Sequence, residues 1–194
     1  MIKLLFRIAL VALCLRPGTT ICAEVNFVEV SHKKGMYTLS IIMTVNADAE
    51  TIKSIMTDYE KLTSINPYLK ESKIVNISDD ERTSVNMLSE ICVFFICYNI
   101  RHPQIFLPVN NNTLFSRFIP GMSDFKSGWG RWKIDEKDSN RMSPVTQIIF
   151  DTEISPDFFI PPVFGPYQMK KKMLDIAEAT INNLEEKAQQ ISTR

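Results

Sequence analysis

The sequence predicts an α+β fold: a curved antiparallel sheet of about seven strands wrapped on one long C-terminal helix, with two short helices after the first strand. Three observations carry this. An amphipathic stripe of Met169, Met173, Ile176, Ala177, Thr180, Leu184, Ala188 and Ile191 runs over about 26 residues at helical spacing and must bury its apolar side. Before it, period-two apolar runs alternate with turn residues, the mark of strands paired as a meander. Between the two regions, the stretch 155–166 (Ser-Pro-Asp-Phe-Phe-Ile-Pro-Pro-Val-Phe-Gly-Pro) breaks the chain and sets Pro166 at a first helical turn.

The elements follow in order. Residues 36–45 alternate Tyr37, Leu39, Ile41, Met43 and Val45 against Thr38, Ser40 and Thr44, a half-buried strand. Asp48 caps a helix whose apolar positions are Ile52, Ile55, Met56 and Tyr59. A second short helix over 61–65 stops at Asn66-Pro67. Strands are expected at 72–77, at 83–91 (with continuation toward Phe94 or Phe95), at 98–109, 113–119, 128–134 and 145–154. Pro103 and Pro108 suit an edge or a bulge in 98–109 better than a central strand. Residues 24–35, with His32, read as loose.

The first residues read as an address. Lys3 and Arg7 flank a basic start, residues 8–15 (Ile-Ala-Leu-Val-Ala-Leu-Cys-Leu) are apolar, and Ile21-Cys22-Ala23 offers a cleavage site. Eight such residues are far short of the roughly 20 that span a bilayer. The expectation is a signal peptide over 1–23, then a single domain over 24–194 with its core at about 35–190, periplasmic or secreted. Basic and acidic residues number 22 each among 194, and loss of Lys3, Arg7 and Arg16 leaves a net charge of −3. That balance gives no reason for a polyanion-binding surface, so no nucleic-acid partner is expected.

Cys92 and Cys97 remain after export. Residues five apart in an unbroken strand lie roughly 16 Å from one another, whereas a disulfide needs Cα atoms within about 7 Å. A bond requires a turn within 93–96; the alternative is two buried, reduced thiols.

The order of elements resembles the START-like or SRPBCC (helix-grip) superfamily of polyketide cyclase and coenzyme Q-binding type. Residues 57–60 (Thr-Asp-Tyr-Glu) with 65–67 (Ile-Asn-Pro), 92–97 (Cys-Val-Phe-Phe-Ile-Cys) and 156–166 are similar to its exported bacterial branch, across roughly 35–190. The resemblance implies a cavity between the long helix and the sheet for lipids, sterols, quinones or polyketides, without a cofactor. The candidate lining is Met169, Met173, Ile176 and Thr180 on the helix, with Trp132, Phe118 and Phe150 opposite. Plain core packing is the alternative for any one of them. Tyr59 and Tyr68 are expected at the mouth, either as rim aromatics with solvated hydroxyls or with a hydroxyl placed to meet a ligand oxygen.

Enzyme motifs are thin. His32 and His102 are the only histidines, no metal spacing occurs, and His102 has no carboxylate nearby in sequence. Asp124 and Arg131 beside Gly128-Trp-Gly130 read as a surface turn or as a polar pair in the cavity. Lys170, Lys171 and Lys172 read as a solvated face, or as a contact for anionic headgroups. Asn76 and Asn111 head sequons. The leading function is binding or carriage of a hydrophobic small molecule or lipid by a monomer, with peripheral membrane contact allowed. An enzyme of cyclase or dehydratase type requires His102, Asp124 or Arg131 to point inward. An interaction module with a self-filled cavity is favoured by a volume of about 300 Å³ or less.

Overall fold

The computed structural model describes residues 23–93, 96–110, 112–137 and 144–192. Residues 1–22 of the signal peptide expected over 1–23, the Phe94-Phe95 continuation and the Asn111 sequon lie outside the described residues. The chain runs β1 (Glu24–Lys33), β2 (Met36–Val45), α1 (Ala49–Thr57), a 3₁₀ helix (Tyr59–Ser64), β3 (Leu69–Ile77) and β4 (Thr83–Val93). It continues with β5 (Ile96–Arg101), β6 (Gln104–Phe106), β7 (Thr113–Phe118), β8 (Phe125–Glu136), β9 (Thr146–Pro156) and α2 (Gly165–Ser192). The strands form one antiparallel sheet in the order β1-β2-β9-β8-β7-β6-β4-β3, with β5 also paired to β4.

The fold class is the expected one, with nine strands in place of about seven. The first addition is β1, read from sequence as loose. Nine of its ten side chains are exposed, so no buried face imposes a visible alternation. Lys34 and Gly35, both at positive φ (53° and 80°), form the two-residue turn that folds it onto β2. The two short helices therefore follow the second strand. The other addition comes from the expected strand 98–109, which divides into β5 and β6 around His102-Pro103. β6 is internal, between β4 and β7, whereas β5 pairs with β4 alone; Pro103, without an N–H, falls in the break between them.

β2 buries Tyr37, Leu39, Ile41, Met43 and Val45 on one face, and α1 is capped by the Asp48 carboxylate, which accepts from the Thr51 N–H at 2.7 Å. Across the sheet, α2 buries Met173, Ala177, Thr180, Ile181, Leu184, Glu185 and Ala188. Ile191, expected in that stripe, lies in the last turn of α2 and is exposed. Glu185, only 2 % exposed, accepts from the Asn46 backbone N–H (2.7 Å) and side-chain amide (2.9 Å), tying α2 to the β2–α1 junction.

Cys92 and Cys97 face each other across the β4–β5 hairpin and form a disulfide. The antiparallel pairing of β4 with β5 converts a separation of five residues into a cross-strand pair.

Candidate functional site

Side chains on the inner sheet face do not all meet α2. Toward the N-terminal half of that helix a cavity of about 250 Å³ remains. Met169, Met173, Ile176 and Thr180 line it from the helix side, as the 3.6-residue period requires. Phe118, Trp132 and Phe150 line it from the sheet. The Trp132 and Phe150 rings are stacked with centroids 3.8 Å apart, and Phe118 lies against Phe125 at 4.8 Å. A Cβ at Gly128 would stand 2.5 Å from the Phe118 ring, so the bare strand gives that ring its seat.

Neither tyrosine expected at the mouth lines the cavity, although Tyr68 lies beside its opening. Tyr59 is buried, its ring 4.4 Å from Phe106, because the 3₁₀ helix turns it into the core; burial raises its phenol pKa. Tyr68 lies under Lys172, whose ammonium sits 5.4 Å from the ring centroid and 3.9 Å from Asp175. Lys172 and Asn66 line the cavity, and with its side chain 22 % exposed Lys172 marks where it reaches solvent.

Of the three inward candidates for an enzyme, His102 faces the cavity. Asp124 turns outward to Arg101, accepting from its backbone N–H at 2.7 Å and its guanidinium at 3.2 Å, and Arg131 pairs with Asp151 at 2.7 Å. Gly128-Trp-Gly130 is no turn but part of β8. His102 touches the cavity, yet protein surrounds it. Desolvation pushes its pKa down to about 4, against an opposing pull from Asp124, so the imidazole is neutral at ordinary pH. Its Nε2 lies 2.7 Å from the Ser89 hydroxyl and its Nδ1 lies 3.2 Å from the Gln104 amide nitrogen. The His102 N–H donates to the Met87 carbonyl (2.9 Å), fixing the residue at the break before Pro103. Sequence reasoning passed over Ser89 and Gln104. A signal was present: Ser89 interrupts the apolar face of Val85, Met87 and Ile91.

The loop from β9 to α2 divides its aromatic cluster. Phe158 packs against Phe125 at 5.8 Å and plugs the sheet end, whereas Phe159, Val163, Phe164 and Tyr167 are 65–82 % exposed.

A bent antiparallel sheet closed over one long helix around an apolar cavity defines the helix-grip class. No protein-family model matches the chain, and no curated protein sequence does. Solved structures do. A START superfamily protein from Mycobacterium smegmatis is similar at TM-score 0.61 and 25 % identity, covering 79 % of this chain and 98 % of that one. The TTHA0849 protein from Thermus thermophilus is similar at TM-score 0.64 and 16 % identity, covering 80 % and 99 %. The Zhui aromatase/cyclase from a Streptomyces species, strain R1128, is similar at TM-score 0.61 and 12 % identity, covering 80 % and 94 %. The protein has a START-like, helix-grip fold.

Proposed function

We propose that the protein is an exported carrier that binds a compact hydrophobic molecule in the cavity between α2 and the sheet. The observation that carries this reading is the cavity itself, about 250 Å³ with a predominantly apolar wall. Likeness to a START superfamily protein and to an aromatase/cyclase supports it. The volume lies just below the roughly 300–1,000 Å³ of typical small-molecule sites. An apolar void of roughly 150 Å³ holds benzene, so this one suits a quinone-sized ring system or a short chain. A diacyl lipid requires the wall to open, through segment 59–69 or 158–165. Affinity comes from apolar burial at about 25 cal/mol per Å², before ordering costs.

Export is supported by the basic and apolar start of the chain, which is expected to leave after Ala23, and by the disulfide, which persists in oxidising compartments. The exposed Phe159, Val163, Phe164 and Tyr167 beside Lys170 and Lys171 support contact of a monomeric carrier with an anionic membrane surface.

Two observations favour other readings. The small volume favours a protein-interaction module, and the inward His102 favours a cyclase or dehydratase in which it would be the base. Native mass spectrometry of protein from its own host, followed by organic extraction, tests all three. A stoichiometric, chemically unchanged hydrophobic molecule is expected. An empty protein that also takes up no member of a lipid and quinone panel overturns the carrier; turnover of the extracted molecule replaces carriage with catalysis.

A further inference from the structure

Most of the cavity wall is hydrocarbon, so its polar groups decide which ligand atom goes where. Two hydroxyls in the wall are engaged by the main chain: Thr152 donates to the Trp129 carbonyl and Thr180 to the Ile176 carbonyl, each at 2.7 Å. Ser89 differs. A Gln104 amide N–H directed at His102 Nδ1 leaves the imidazole proton on Nε2, which donates to the Ser89 oxygen. The relay ends on the Ser89 O–H, a donor set in the wall.

We infer that Ser89, held by His102 and Gln104, is the anchor for one uncharged acceptor oxygen, a ketone, quinone or ester carbonyl, on an otherwise hydrophobic ligand. All three side chains are neutral, so a buried carboxylate would lose its hydration with no cation beside it. Other donors line the cavity: the Ser116 hydroxyl on β7, the Asn66 amide, and the Lys172 ammonium, which sits where the cavity meets solvent, shared with Asp175 and Tyr68; the relay behind Ser89 is what distinguishes it. The three residues come from adjoining strands: Ser89 from β4, His102 from the break after β5, Gln104 from β6. The anchor is therefore a product of the split strand at Pro103. Removing Ser89 costs the ligand a hydrogen bond and leaves the imidazole N–H without its acceptor.

This assignment rests on the carrier reading, and the test separates the two. Binding of 2-acetylnaphthalene and of 2-ethylnaphthalene, equal in shape but differing by the carbonyl, is measured by fluorescence titration. In the native protein the ketone is expected to bind about tenfold more tightly than its water-to-alkane partition relative to the hydrocarbon allows. Ser89→Ala should lower ketone affinity about tenfold and leave the hydrocarbon within about twofold; Ser89→Thr should restore the preference. The native measurement stands even if Ser89→Ala fails to fold. Both probes bound with no excess for the ketone overturns the anchor and leaves the carrier intact. Neither probe bound overturns the carrier, and the anchor with it.

Discussion

The two halves of α2 do opposite work. From Ile181 to Ala188 the inward side chains Ile181, Leu184 and Ala188 are at most 1 % exposed, sealed against a core shared with α1, β1 and β2. From Met169 to Ile176 the same helix borders an unfilled space, and Met169 and Ile176 are only half-buried. One helix with one period thus holds the fold together at its C-terminal half and leaves room for a guest at its N-terminal half. The difference lies in what faces it. Strong alternation on β2 supplies a complete layer of Ile, Leu and Met, whereas the wall of β4 to β8 carries Ser89, His102, Gln104 and Gly130, which fill less or demand partners.

The sharpest way to break this contrast is to truncate both halves. Leu184→Ala should lose about 3–4 kcal/mol in urea unfolding, as for a fully packed position. Met169→Ala should lose about 1 kcal/mol or less, because its neighbours already border a void. Equal losses would show that the cavity half is as closed as the other.

Acid should weaken the cavity half first. His102 is neutral when folded, with its pKa lowered to about 4 from the 6.5 of an unfolded histidine. Above about pH 6.5 neither state binds the proton and the full stability is present. As pH falls from 6.5 toward 4, the unfolded chain takes up a proton that the folded chain refuses, and up to about 3 kcal/mol is lost. Asp124, across from His102, opposes this shift; Ser89, Gln104 and the Phe118 and Phe125 rings complete its surroundings. Asp48, Asp124 and Asp151 have lowered pKa values and lose their contributions mostly at more acid pH, so they do not mimic the effect. Unfolding from pH 7 to 4.5 should show the slope in the native protein and a flatter profile in His102→Gln.

How far the sequence spoke follows the same division. β2 and the buried stripe of α2 were legible because one face is fully apolar and the other polar, so period alone identifies them. β1 was not, since an edge strand exposed on both sides leaves no such pattern. Of the nine residues named, seven border the cavity; the 3₁₀ helix turns Tyr59 into the core, and Tyr68 lies under Lys172 beside the opening, positions that periodicity alone does not give. The polar relay was invisible for another reason. Ser89 and His102 are 13 residues apart, and only the β4–β5 hairpin brings them together.

Two smaller effects sharpen the contrast. Replacing both Cys92 and Cys97 by Ser should cost about 2 kcal/mol, the entropy of a short closed loop, with the hydrocarbon probe still bound, since the disulfide joins exposed strand ends. Gly128→Ala is the finer instrument. The new methyl would meet two Phe118 ring carbons at 2.5 Å and the Glu153 carbonyl oxygen at 3.1 Å. The carbonyl belongs to the β8–β9 ladder and yields little, whereas the ring can swing toward the empty space. Relief by that route should hold the stability loss to about 1–2 kcal/mol, the usual range for overpacking. It should also shrink the cavity and weaken 2-ethylnaphthalene binding about tenfold. A comparable insertion in the closed half, Ala188→Val, has no void to receive the displaced atoms and should lose stability without touching binding. If Gly128→Ala destabilised the protein as much as Ala188→Val and left probe affinity unchanged, Phe118 would be wall to a packed core, and the open half of the molecule would be closed.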